Sequence, residues 1–257
     1  SGVRLNTAGE LFVQHIRTQT AELARVQSQI ADLSGIRRGH VRIASGADSM
    51  RYFLPETVSR YRGEHPAVTF DLVRQSGDSA EQALRTLEAD LALIFEPIKS
   101  ADFQTMATAR QQLYCMMSAT HPLAKKPIIR LRDCVGQPAI LPRADAGLRQ
   151  LLNVGLIRRS VELGTVIESN SQEFLQNYLT HEMVISFQIP IAMPSDLVTT
   201  PANDSEVVAR PVDLADVPAG ILHIGQLKGR VLPVAAAKFL DSIITELGAR
   251  YGDDIDQ

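Results

Sequence analysis

The chain has 257 residues, 45% hydrophobic and 21% charged, the proportions of an ordinary soluble globular protein. Lysine and arginine number 26 against 29 aspartates and glutamates, a formal charge of −3, too balanced for a surface built to grip phosphates. That length accommodates one large domain or two smaller ones, the recurrence of apolar residues excludes extended disorder, and no apolar run approaches the roughly 20 residues of a membrane span.

The first residues, Ser1-Gly2-Val3-Arg4, lack the apolar run of a secretory signal. Two cysteines, Cys115 and Cys134, are too few for a disulfide framework and fit a reducing cytosol. From Thr7 to about Leu33 there is no proline, and Ile16, Leu23, Val26, Ile30 and Leu33 recur at spacings of 7, 3, 4 and 3, with Gln19 at the one polar position. This predicts a helix of about 40 Å carrying an a/d seam. Ser34-Gly35 ends it, with Gly35 as left-handed cap. Periodicity alone leaves two readings open, a pairing helix joining two chains and an amphipathic helix lying on its own domain.

Strands and helices then alternate. His40 to Ser45 reads as a strand, Ser49 to about Glu64 as a helix with Pro55 in its early turns, Val68 to Val73 as a strand, Asp78 to Glu88 as a helix and Asp90 to Phe95 as a strand. Such a β-α-β-α-β run predicts a parallel sheet with right-handed crossovers. Pro97 breaks the pattern. Beyond it, strands are expected at Leu113 to Ser118, Ala139 to Leu141, Val161 to Glu168, Met183 to Phe187, Glu206 to Val212 and Ile221 to Leu227. Helices are expected at Gly147 to Arg158, Ser171 to Thr180 and Val234 to Arg250, followed by an acidic tail that frays.

Several segments resemble LysR-type bacterial transcriptional regulators. Val3-Arg4-Leu5-Asn6-Thr7-Ala8-Gly9-Glu10 resembles that family's V-x-L-T-x-A-G-E signature, with Asn6 in place of threonine. Gly39-His40-Val41-Arg42-Ile43 resembles its first regulatory strand, and Leu54-Pro55 with Tyr61 to Pro66 its L-P…F…H-P helix and turn. Leu87 to Leu93 resembles its L-x-x-G-x-L-D-L-A-L strand, and His121-Pro122-Leu123-Ala124 its H-P-L-A turn. The order and spacing of these pieces span essentially the whole chain. The family's glycine-rich turn before a late strand is replaced here by Thr180-His181-Glu182-Met183.

The resemblance implies an α/β fold with two lobes of periplasmic-binding-protein-like (type II) architecture preceded by a long linker helix. Residues 1–36 would be the end of the DNA-binding wing and a dimerising linker helix. Residues 37–97 plus 219–250 would form regulatory lobe 1, residues 98–218 lobe 2, and residues 251–257 a tail. Most of the winged helix-turn-helix is expected to be missing from this chain. The implied function is effector sensing: a small polar or carboxylated metabolite binds between the lobes, and the full-length protein contacts DNA through the missing part. The implied partners are the effector and a second copy in a homodimer or homotetramer, with the helix from Ser49 and that from Gly147 pairing the lobes side by side. The implied location is cytoplasmic. The alternative is a solute-binding receptor of a transport system, which shares the lobes.

Open parallel sheets bind ligands beyond the carboxyl ends of their strands. In lobe 1 this selects Ser45, Gly46, Ala47, Asp48 and Ser49 after the first strand, and Gln75 and Ser76 after the second. Asp48 or Ser49 would cap the first following helix, and Ser79-x-x-Gln82 reads as a capping box for the next. In lobe 2 the rule selects Arg143, Asn170 and Ser171. Phe95 and Phe187 would stand near the hinge and cleft wall. Arg143 is also readable as a solvated arginine, Ser171 as a plain cap and both phenylalanines as core. The six histidines show no metal-ligand spacing, no nucleophile–base constellation appears, and no cofactor is implied. Cys115 reads as a buried structural thiol.

Overall fold

In the computed structural model, which describes residues 5–33, 38–75, 77–194, 197, 206–252 and 255–256, the proline-free stretch after Asn6 forms helix α1, Thr7–Leu33. The Asn6 side chain caps its start, accepting from Gly9 N–H at 2.8 Å. Gly35 lies outside the described residues.

Three parallel strands follow, β1 Gly39–Ser45, β2 Val68–Arg74 and β3 Leu91–Phe95, with β1 between the other two. The single helix expected after β1 is two, α2 Ala47–Arg51 and α3 Phe53–Glu64. Pro55 accounts for the break. It has no N–H for the Arg51 carbonyl four residues earlier, and its ring crowds that carbonyl, so the helix interrupts at Tyr52. Helix α4, Asp78–Arg85, ends in a tight reversal in which Leu87 takes φ 58° and the Glu88 and Ala89 N–H groups both donate to the Ala83 carbonyl.

Next comes a strand the apolar pattern did not suggest, β4 Phe103–Gln111. The rest runs β5 Tyr114–Ser118, β6 Pro138–Pro142, α5 Gly147–Arg159, β7 Gly164–Ser169, α6 Gln172–Tyr178, β8 Ile185–Gln188, β9 Val207–Pro211, β10 Gly220–Leu227, α7 Val234–Tyr251 and β11 Ile255–Asp256. These build two sheets, a six-stranded one in the order β11-β4-β10-β3-β1-β2 and a five-stranded one in the order β7-β6-β8-β5-β9. The result is the two-lobed α/β architecture expected.

The lobe boundary differs from the expected 97/98. Strand β4 still belongs to the first sheet, where it pairs antiparallel with β10, and the chain crosses only after Gln111. Its small and polar residues, Thr105, Ala107, Thr108 and Ala109, carry little apolar signal, and β10 supplies the register. The tail also differs. Ile255 and Asp256 pair with Ala109 and Thr108, covering a stretch of β4 edge that would otherwise leave its polar backbone open.

Core packing follows the strand faces. Phe53, Leu54, Phe239 and Ile243 are fully buried where α3 and α7 cover the first sheet, and the Phe239 ring meets those of Tyr61 and Phe70 edge-on at 5.1 and 4.8 Å. In the second lobe Cys115, Met117, Leu141, Ile185 and Phe187 are equally buried. Burial and the neighbouring Cys134 thiol push the Cys115 thiol well above its ordinary range, which disfavours the reactive thiolate. His121 does cap its turn: the buried ring accepts from Leu123 N–H through Nδ1 at 3.1 Å.

Charge is buried where the linker meets lobe 1. Asp90 is fully enclosed and accepts four hydrogen bonds: Arg42 N at 2.9 Å, Arg42 Nε at 3.3 Å, Arg42 Nη2 at 2.8 Å and Arg230 Nη2 at 2.7 Å. Arg42 also donates to the Leu87 carbonyl and Arg230 to that of Ala89, so the Asp90 clamp fixes the reversal after α4. Helix α1 docks on that reversal, through Gln14 Nε2 to the Arg85 carbonyl at 3.3 Å and an Arg17–Glu88 ion pair at 2.8 Å.

Candidate functional site

The carboxyl ends of β1, β2 and β3 from one sheet and of β6 and β7 from the other open onto a single cleft of ≈ 630 Å³. This follows from strand direction: each parallel strand hands the chain to a helix at that end, so the loops and helix starts gather there.

Gly46, Ala47, Asp48 and Gln75 line the cleft from lobe 1, Arg143 and Asn170 line it from lobe 2, and Phe95 stands at the crossing. Ser45 and Ser49 do not reach it. Both are buried, Ser45 as the last residue of β1 and Ser49 inside α2. Ser171 caps α6, accepting from Phe174 N–H at 3.2 Å. Phe187 is core, 1% exposed in the middle of β8. Ser76 lies outside the described residues. The expected caps of the two lobe 1 helices also differ: Gly46 precedes α2 and Gly77, at φ 51°, precedes α4, neither with a side-chain cap. Both helices begin earlier than expected, so Asp48, Ser49 and Ser79 fall within the first turn rather than at the cap.

The strand-end rule, carried one residue further, also reaches Arg74 and Ser169, which close β2 and β7 and line the cleft. Glu96, Asp145, Gln150 and Gln172 line it too, and no local pattern marks them. Gly147, the first residue of α5, is there for a steric reason: a Cβ would stand 2.5 Å from the Glu96 carbonyl oxygen. Likewise a Cβ on Gly220 would meet Phe95 Cζ at 2.3 Å, so glycines at the starts of α5 and β10 let both elements pack against the Phe95 ring.

A chain of side-chain amides joins the lobes across the cleft. Gln172 on α6 donates to Asp48 Oδ1 at 3.0 Å and accepts from Gln188 Nε2 at 2.5 Å, and the Gln188 oxygen accepts from Ile189 N–H at 3.0 Å. Asp48 makes no ion pair with a described residue, and burial pushes its carboxyl up to about 6. Burial also raises the Glu96 carboxyl. Lys99 is already held by Asp78 at 3.0 Å, whereas Arg74 and Arg143 have no charged partner among the described residues. Gln75 Oε1 is buried without a hydrogen bond to any described residue. The cleft is thus stocked with uncommitted donors and acceptors from both lobes, which suits reversible binding of a small polar molecule.

On the outer surface, α1 docks through one side, and large apolar residues stand exposed on the opposite side. Gln14, Thr18, Ala21 and Arg25 face the body, and Ala21 is 9% exposed. Ile16, Leu23, Val26 and Ile30 stand 41–59% exposed on the other side. Phe12, also exposed, extends that seam by one more spacing of four, which the sequence pattern contains and which the reading from Ile16 onward missed. The side chain of Leu33 is not described.

A family model described as the LysR substrate binding domain matches residues 34–248. The HTH-type transcriptional activator CmpR of Synechocystis is 22% identical over 239 residues, 93% of this chain and 76% of its own length. Further curated relatives are matched over 44–50% of theirs. Among solved structures, the regulatory domain of CcmR from Synechocystis PCC6803 in complex with 2-PG has a TM-score of 0.70 at 19% identity, covering 84% of this chain and 99% of that one. The effector binding domain of QuiR in complex with shikimate has a TM-score of 0.68 at 18% identity, covering 83% and 99%. These structures share the two-lobed fold, and the chain belongs to the family of LysR substrate-binding domains.

Proposed function

We propose that this chain is the effector-sensing regulatory region of a LysR-type transcriptional regulator, a binding module rather than an enzyme, with a small polar or carboxylated metabolite seated between its lobes. The observation that carries this reading is the cleft where strand ends from both sheets converge on Gly46 to Asp48, Gln75, Arg143 and Asn170. Ligand-bound relatives of the same fold and the regulator names of the curated relatives support it. A ligand touching both lobes favours one lobe angle over another, and only that difference in affinity can shift the protein's state. DNA contact would belong to a part of the regulator outside this chain, and the two unbridged thiols suit a cytoplasmic protein.

Thermal-shift screening against a metabolite panel tests the binding. An effector present at a hundred times its Kd is expected to add about 2.7 kcal/mol. The reading fails if a ligand found this way binds unchanged after joint replacement of Gln75, Arg143 and Asn170 by alanine.

The α1 seam is the proposed pairing surface, with α3 and α5 joining the lobes of neighbouring copies. Each buried leucine or isoleucine contributes about 1.5–3 kcal/mol. Replacing Ile16, Leu23 and Ile30 together by serine is therefore expected to convert the assembly to single chains in light scattering at micromolar concentration. An unchanged mass would remove α1 from the interface.

A further inference from the structure

Among the described residues, four carboxylates line the cleft (Asp48, Asp78, Glu96, Asp145) against three cations (Arg74, Lys99, Arg143), and of these Lys99 and Asp78 pair with each other. A simple anion entering this cleft adds to a lining that already holds more acid than base. Each wall carries both signs, Asp48 and Arg74 in lobe 1 and Arg143 and Asp145 in lobe 2, so a ligand bearing both charges has a partner for each. On the lobe 1 wall Asp48 is half-buried beside the Gly46 turn. A carboxylate has about four acceptor positions. Gln172 occupies one, which leaves further acceptor capacity on a residue that lines the cleft. A charge taken partly out of water is costly unless it is paired with its opposite, and nothing described in the chain provides that opposite. On the lobe 2 wall Arg143 lies four residues before Gly147, where α5 begins without a side-chain cap and with no acid in its first turn, so the pole there is positive.

We propose that the effector is a zwitterion, an amino carboxylate whose ammonium pairs with Asp48 of lobe 1 and whose carboxylate pairs with Arg143 at the start of α5 in lobe 2. This rests on the cleft being the effector site and narrows the ligand class. Asp48 and Arg143 stand on opposite walls, so a ligand that pairs with both touches both lobes. The ammonium would share Asp48 with the Gln172 amide, which ties ligand binding to the Asp48–Gln172–Gln188 chain that spans the lobes.

The test is calorimetric titration of the full chain at neutral pH with three matched series of probes. The first holds the standard L-amino acids with β-alanine and 4-aminobutyrate. The second holds the corresponding hydroxy acids, and the third the carboxylates without the amine, dicarboxylates included. At least one amino carboxylate is expected to bind more than about tenfold tighter than its hydroxy and amine-free counterparts. D48N is expected to abolish that preference, Asp48→Glu to keep part of it, and Arg143→Gln to weaken all three series alike. If amine-free acids bind as tightly as amino acids and Arg143→Gln weakens them, the zwitterion is overturned while the cleft remains the effector site. An amino-acid preference intact in a folded D48N protein overturns it too. If no probe of any series binds, or if binding ignores both positions, the site reading falls together with the inference.

Discussion

Replacing Asp90 by alanine is expected to lower the stability of the chain by about 3–5 kcal/mol, the usual cost of removing one partner from a buried charge cluster. The wild-type carboxylate receives four donors and is fully enclosed, so its own desolvation is compensated. The variant leaves two guanidinium groups facing a void, with Arg230 only 10% exposed at its side chain. Each keeps a single backbone carbonyl, Leu87 for Arg42 and Ala89 for Arg230. Asp90→Asn restores shape and one acceptor and should recover part of the loss. Equilibrium denaturation reads both variants, and a loss below about 1 kcal/mol for the alanine variant would show that the cluster is dispensable. The same variant is expected to loosen α1, because the reversal it fixes carries Glu88 and the Arg85 carbonyl, the two docking points of the helix. Faster amide exchange over residues 14–25, relative to the rest of α1, is the corresponding signature.

Asp48→Asn is expected to act in the opposite direction, stabilising the ligand-free protein by about 3 kcal/mol at neutral pH. Burial raises the Asp48 carboxyl from 3.8 to about 6. A group whose folded pKa is raised stabilises the fold fully below its unfolded value, and that contribution is lost as the pH climbs through the folded value. The wild-type chain therefore surrenders stability between about pH 4 and pH 6, while a neutral amide in the same place does not titrate. The amide oxygen still accepts from Gln172, and the rest of the relay, Gln172 and Gln188, carries no proton to lose. The difference between variant and wild type should open with rising pH and vanish near pH 4, as measured by denaturant unfolding across that range. Parallel curves for the two proteins would show that Asp48 is not strained in the free protein. A gain in stability together with a loss of ligand binding is the behaviour of a group kept for function at the expense of the fold.

Local rules carried the reading far. Helix α1 and the β1–α–β2–α4–β3 run were legible because helices and strands impose periods on their own residues, and the strand-end rule pointed to Gly46, Ala47, Asp48, Gln75, Arg143 and Asn170 without any contact being known. Pro55 carries the local reason for the break at Tyr52 that divides the single expected helix into α2 and α3. Ser45 and Ser49 were misplaced because a turn residue's exposure depends on which way the backbone faces, and nothing local records that. Phe187 looked like a wall residue for the same reason and is core.

What spacing specified was local: most of the strands and helices, the apolar seam of α1, and the loops that carry the polar residues, while the two lobes came from the resemblance to LysR-type regulators. What required the packed chain was every relation between distant segments. Strand β4 exists because β10 lies beside it, Gln172 matters because α6 faces α2 across the cleft, and Asp90 is a clamp because residues 42 and 230 converge on it. Periodicity acts over one turn or one strand, whereas pairing, burial and charge compensation depend on which residues the whole chain brings within a few ångströms of each other.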